Sequence, residues 1–112
     1  MNKNYTMYLD DLRTPIKAYD IVARSYDEAV KCVFKYGVPV FISFDHDLGI
    51  DENDMLLPSG YDFAKWLIDG DLAGTFTLPK DFTFKVHSQN PVGNRNIQSL
   101  LERYIQFKVE NI

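Results

Sequence analysis

Three apolar runs in this chain each give way to charged or titratable residues. Val40-Phe41-Ile42-Ser43-Phe44 opens into Asp45-His46-Asp47-Leu48-Gly49, Phe82-Thr83-Phe84-Lys85-Val86 opens into His87-Ser88-Gln89-Asn90, and Tyr5 to Leu9 ends in Asp10-Asp11-Leu12-Arg13. If the runs are strands of one open α/β sheet, their carboxyl ends lie side by side, where such sheets bind ligands. The carboxylates of Asp10, Asp11, Asp45 and Asp47, the imidazoles of His46 and His87 and the guanidinium of Arg13 would then share one site. That set suits a phosphate ester, with or without a divalent metal.

The elements that must position these groups belong to one domain, since the chain has 112 residues. A chain of this size buries roughly two thirds of the surface its unfolded form exposes, enough for an independent core. Hydrophobic residues make up 46% and aromatics 14%, which argues against disorder. No apolar run approaches the ~18 residues that span a bilayer, and no hydrophobic leader follows the polar N-terminus. Cys32 has no second cysteine to pair with and reads as a small hydrophobe inside a helix. A reducing cytoplasm is the expected location, the host's if the protein is phage-encoded. A formal charge of −4 argues against an extended nucleic-acid surface, which calls for a basic face, but leaves room for a small nucleotide in a local pocket.

Strands are expected over Asn4 to Leu9, Asp20 to Arg24, Val40 to Phe44 and Phe82 to Val86, with loop from Asp10 to Tyr19. Ser25 and Glu28 match the Ser-x-x-Glu capping box and open a helix whose apolar face is Ala29, Val30, Val33 and Phe34, and Gly37 stops it. Ser59 caps a second helix, with Asp62 favouring the positive end of its dipole, Phe63, Trp66 and Leu67 buried, and an end at Asp69-Gly70-Asp71. Asn90 and Pro91 begin the last helix as N-cap and first helical residue, and Ile97, Leu100, Leu101, Tyr104 and Ile105 recur at helical spacing. The acidic stretch Asp47 to Pro58 reads as mobile, and it lacks the glycine and spacing of a calcium loop. Strands alternating with helices imply a mostly parallel four-stranded sheet in a small three-layer αβα sandwich, with helices on both faces. The long loop after the first strand is unusual for a parallel crossover. It either crosses the sheet face in extended form or leaves the second strand to pair differently.

Taken in order, Leu9-Asp10-Asp11-Leu12-Arg13-Thr14-Pro15, Ala23-Arg24-Ser25, Ile42-Ser43-Phe44-Asp45-His46-Asp47-Leu48-Gly49, Ser59-Gly60-Tyr61-Asp62-Phe63-Ala64-Lys65-Trp66-Leu67 and Val86-His87-Ser88-Gln89-Asn90-Pro91-Val92-Gly93 resemble the cyclic-phosphate-processing receiver-like domain family. The likeness covers nearly the whole chain. It implies a receiver- or flavodoxin-like fold and action on cyclic phosphate esters of nucleotides. Asp10 and Asp11 resemble the acidic pair that binds Mg²⁺ in receivers, and Asp45 or Asp47 resembles the phosphoacceptor. His46 and His87 have no counterpart in ordinary receivers and move the expectation from phospho-relay to phosphoester chemistry. Family members often carry a Trp before the second strand, where this chain has Tyr19-Asp20.

Opening a cyclic phosphodiester needs an activated water, a proton for the leaving alkoxide and neutralisation of phosphate charge. His46 and His87 titrate near working pH and can act as base and acid on opposite sides of the phosphorus, with Asp45 or Asp47 orienting His46. Asp10, Asp11 and Asp45 would hold Mg²⁺, and Arg13 would fork onto phosphate oxygens. The start of the last helix offers N–H groups to an anion, so Ser88, Asn90 and Asn94 join Arg13 as substrate-binding candidates. Lys65, on its helix, and Lys85, within its strand, read as solvated. Two alternatives stand beside a phosphodiesterase-like hydrolase. One is a sponge that holds a cyclic nucleotide signal uncut, such as a phage uses against host defence. The other is a receiver-like phosphoacceptor or docking domain with Asp45 taking the phosphoryl group.

Overall fold

In a computed structural model that describes residues 4–111, the elements run β1 (Thr6–Leu9), β2 (Ile21–Ala23), α1 (Tyr26–Tyr36), β3 (Phe41–Phe44), α2 (Gly60–Ala73), β4 (Thr83–Val86) and α3 (Pro91–Glu110). The four strands form one sheet in the order β2-β1-β3-β4, every neighbouring pair parallel. This is the parallel α/β arrangement that the alternation of strands and helices implies, and it fits the receiver-like fold that the family resemblance implies.

The pleat separates the side chains into two sets. Met7, Leu9, Ile42 and Phe44 are fully buried and share one core with Ala29 and Val33 of α1, Phe63, Ala64 and Leu67 of α2, and Ile97 and Leu101 of α3. The other set is Tyr8, paired in register with Val22 and Ser43, and Lys85, paired with Ser43. Among the described residues no helix covers this second face, so the layering differs from the expectation of helices on both sides. The reason lies in the β1–β2 connection, which has a proline and no helical periodicity. It crosses the face without regular structure, bent at Asp11-Leu12 and Ile16-Lys17, and β2 pairs parallel to β1. Tyr19 at its far end packs on Tyr8 and Phe41, with ring centroids 5.2 and 6.2 Å apart. The Asp20 carboxylate closes the crossing by accepting the Thr6 N–H at 2.9 Å.

The helix ends follow local chemistry with two differences. Ser59 and Asp62 form a reciprocal capping box on α2, and the Asn90 side chain accepts the Gly93 N–H at 2.9 Å on α3. At α1, Ser25 accepts the Glu28 N–H, but the Glu28 carboxylate reaches the N–H of Arg24, one residue before the cap, instead of completing a box. Helix α2 also runs past Asp69-Gly70-Asp71 to Gly74, which takes the left-handed conformation (φ 76°). Gly70 is there for packing, since a Cβ would meet the Phe76 ring at 2.1 Å. Asp71 is an anchor: its carboxylate accepts from the Leu78 N–H at 2.7 Å and pairs with Lys108 at 2.8 Å and with the Tyr104 hydroxyl. The acidic 47–58 stretch folds on itself through an Ile50–Leu56 bridge, with Asp51 accepting the Asn53 and Met55 N–H groups.

Two glycines let helices press against the end of β3. A Cβ on Gly60 would lie 1.9 Å from the Asp45 carbonyl oxygen, and one on Gly93 would lie 2.4 Å from the His46 ring. The Gly60 N–H donates to the His46 carbonyl at 2.8 Å. Because the obstacle at Gly60 is backbone, Gly60→Ala should destabilise the fold by about 1–3 kcal/mol, the usual cost of overpacking. Urea denaturation measures this; an unchanged midpoint would contradict the close approach.

Candidate functional site

The parallel ladder continues one residue beyond three strands. The N–H of Asp10 donates to Ala23, that of Asp45 to Leu9 and that of His87 to Phe44, at 3.1, 2.9 and 2.9 Å. The pleat therefore puts Asp10, Asp45 and His87 in one row on the helix-free face. One ligand atom from each lies within 4.8 Å of the others.

Asp10 is 1% exposed. One of its oxygens accepts the N–H groups of Leu12 and Arg13, both at 2.9 Å. The other accepts Arg13 Nη1 at 3.1 Å and His87 Nε2 at 2.9 Å. These donors match the four lone-pair sites of a carboxylate. Burial pushes its pKa up, but the bonds from Arg13, Leu12 and His87 outweigh burial and hold it below the ordinary aspartate value. Asp45, next to it, goes the other way. Burial and then the Asp10 charge raise its pKa, and Ser88, Arg13 and His87 only partly offset them. The surroundings of these two adjacent carboxylates thus drive their pKa values in opposite directions.

His87 is held on both nitrogens. Nε2 faces Asp10, and Nδ1 lies 2.7 Å from the Ser43 hydroxyl. With Asp10 ionised, Nε2–H donates, and in the neutral ring Nδ1 accepts from Ser43. The ring stacks on Tyr8, centroids 4.5 Å apart and planes 6° from parallel. Arg13 spans the two carboxylates, 3.1 Å from Asp10 and 3.8 Å from Asp45. Arg24 secures the loop beneath, its Nη1 donating to the carbonyls of Asp10 and Arg13. Beside this cluster opens a cleft of about 630 Å³, bounded by Tyr8, Arg13, Tyr19, Ser43, Lys85 and His87.

His46 is elsewhere. Being one residue past Asp45, it turns to the helix side, where its ring lies against Gly93 and Nδ1 meets Asp47 at 2.9 Å. The two imidazoles thus contact different carboxylates, His46 with Asp47 and His87 with Asp10. Asp47 is 61% exposed and reaches Asn90 at 3.4 Å. Asp11 lies outside the row, its carboxylate near Gly49. Ser88 is brought to Asp45. Asn90 caps α3, and Asn94 donates to the Ser88 carbonyl at 2.6 Å, so both shape the β4–α3 turn.

A divalent cation is implied by the receiver resemblance. Asp10, Asp45 and His87 could hold one. Mg²⁺ favours oxygen donors, so Asp10 and Asp45 are the groups that fit it, and only with Arg13, 41% exposed, swung outward.

Ser43, Tyr8 and Tyr19 carry no signal of a site in the sequence beyond one hydroxyl, and Lys85, which reads as solvated there, is exposed on the same face. The one available signal was Ser43, the single hydroxyl inside an apolar central strand.

The sheet order, the helix-free face and the strand-end cluster define a receiver-like α/β domain with an acidic site. Residues 5–103 match the cyclic-phosphate processing Receiver domain, and the chain belongs to that family. No curated protein and no solved structure matches the chain. No described helix is long and apolar enough to cross a membrane.

The pKa directions set the pH response. Asp10, depressed in the folded state, stabilises the fold above the unfolded aspartate pKa of about 4, and this is lost as pH falls through its folded value. Asp10→Asn should cost about 1–3 kcal/mol at neutral pH and flatten the acid limb of the stability curve. Asp45, raised by burial and by Asp10, opposes folding once ionised, so Asp45→Asn should match or exceed the parent stability at pH 7. Urea titrations from pH 2 to 7 check both; an unchanged acid limb in Asp10→Asn refutes the assignment.

Proposed function

We propose that the protein binds a cyclic phosphate ester of a nucleotide and opens its ring by hydrolysis. The observation that carries this reading is the hydrogen-bonded chain Asp10–His87–Ser43 at the edge of the cleft, with Arg13 beside it. Arg13 offers N–H groups to the phosphate oxygens in place of one of its carboxylate contacts. Water attacks phosphorus while the ester bond on the other side breaks. The water's proton passes through the Ser43 hydroxyl to His87 Nδ1, and Asp10 supports the imidazolium that results. Asp45, whose pKa burial and the Asp10 charge raise, delivers a proton to the departing alkoxide. His87 then returns a proton to Asp45, and the site is restored. His46 has no step in this scheme. Mg²⁺ on Asp10 and an ionised Asp45 would supply neutralisation of phosphate charge in place of proton donation by Asp45.

One observation favours a second reading, capture without cleavage. Both ring nitrogens of His87 are already engaged by protein groups, which suits holding an anion as well as moving a proton.

Incubation of the purified protein with 2′,3′- and 3′,5′-cyclic nucleotides and with cyclic dinucleotides, with and without Mg²⁺, separates these readings. Ring-opened product is expected, falling by about 10²-fold or more in His87→Ala and Asp10→Asn, the usual size of an acid–base contribution. Full turnover in His87→Ala would remove the acid–base assignment. Intact ligand recovered after denaturing the complex would establish capture instead.

A further inference from the structure

The cleft on the helix-free face carries charge that the ester-opening cluster does not use. The protein as a whole has a formal charge of −4, yet the cleft is lined by Arg13, Lys17 and Lys85 and by no carboxylate. Arg13 is committed to Asp10 and Asp45. Lys17 and Lys85 have no ion-pair partner among the described residues. The Lys17 ammonium lies 5.7 Å from the ring centroids of both Tyr19 and Phe41, which holds a long side chain over the cleft floor without neutralising it. Lys85 stands on the same face, in register with Ser43 and two residues before His87. The Tyr19 hydroxyl oxygen is buried with no hydrogen-bond partner. A buried hydroxyl without a partner is costly, and since its oxygen is closed off from the cleft, Tyr19 contributes its ring to the wall and no ligand group.

Size and charge point the same way. At about 630 Å³ the cleft lies within the ~300–1,000 Å³ range of ligand pockets, well beyond what a lone phosphate fills. A cyclic phosphodiester carries a single negative charge, which Arg13 can meet. The two ammonium groups of Lys17 and Lys85 are left to match a further anion.

We infer that the cleft is a subsite for a second phosphate on the same ligand, so that the protein takes cyclic phosphate esters carrying at least one further phosphate group. This rests on the reading of the Arg13 cluster as the place of the cyclic phosphate. The second phosphate belongs to a 5′-phosphorylated nucleotide or to the other half of a cyclic dinucleotide; the chemistry offered to either is the same.

Calorimetric titration of the whole chain with four probes tests it. They are adenosine 2′,3′-cyclic phosphate, its 5′-phosphorylated form, cyclic di-AMP and AMP. At least one two-phosphate probe should bind about tenfold or more tighter than adenosine 2′,3′-cyclic phosphate, and the one that does identifies the source. The advantage should shrink as salt is raised and disappear in Lys17→Gln and Lys85→Gln, with melting temperatures confirming that both variants fold. Equal affinity for one- and two-phosphate probes overturns the subsite and leaves the Arg13 reading intact. Binding of AMP that depends on the two lysines, with no binding of any cyclic probe, overturns both the second-phosphate subsite and the cyclic-phosphate reading. Binding of none of the four overturns both.

Discussion

The Asp10 carboxylate is the interaction on which the rest of the site depends. It is buried at the end of β1 and satisfied by donors from two places: the backbone and side chain that follow it, and an imidazole 77 positions further along. Burying such a charge is costly unless its lone pairs are filled, so its presence dictates its surroundings. The turn at Leu12 and Arg13, the tilt of His87 and the place of the Arg13 guanidinium all answer that demand. His87 is in turn fixed by Ser43 and by the face of Tyr8, leaving the ring little freedom. The cluster is therefore preorganised, which favours stabilising charge that develops on a ligand.

The asymmetry of the sheet follows from one connection. Parallel strands are ordinarily joined by helices, which cover both faces. Here β1 and β2 are joined by a crossing without helix, tied at Asp10 and at Asp20. The face beneath is closed by aromatic rings at one end and left open as a cleft at the other. Three helices on the opposite face supply the core, and their close approach at Gly60 and Gly93 clamps the end of β3 from below. A rigid apolar layer on one side thus supports a polar site on the other. The burial that raises the Asp45 pKa is part of that cost, a local destabilisation of the kind functional sites carry.

Much of this was legible in the chain. Apolar runs bounded by turn residues located every strand, and Ser25, Ser59 and Asn90 marked all three helix starts within the accuracy that caps allow. The motifs around Asp10, Asp45 and His87 carried the family. The end of α2 was misjudged because Gly70 has the form of a stop signal while serving as space for Phe76. The Glu28 side chain likewise matches a capping box, yet the Arg24 N–H takes it.

Local pattern determined which residues form strands and helices, where helices begin and which residue types gather at strand ends, because these depend on neighbours a few positions away. Pairing across the sheet decided the rest. Register placed Asp45 beside His87 and set Ser43 against its ring nitrogen. The bend after β3 set the His46 ring against Gly93 of α3, although His46 adjoins Asp45 in the chain. The helix-free face drew Tyr19 and Lys85 into the cleft wall. In a strand a shift of one position reverses the direction of every side chain, so adjacency in sequence cannot say which groups meet.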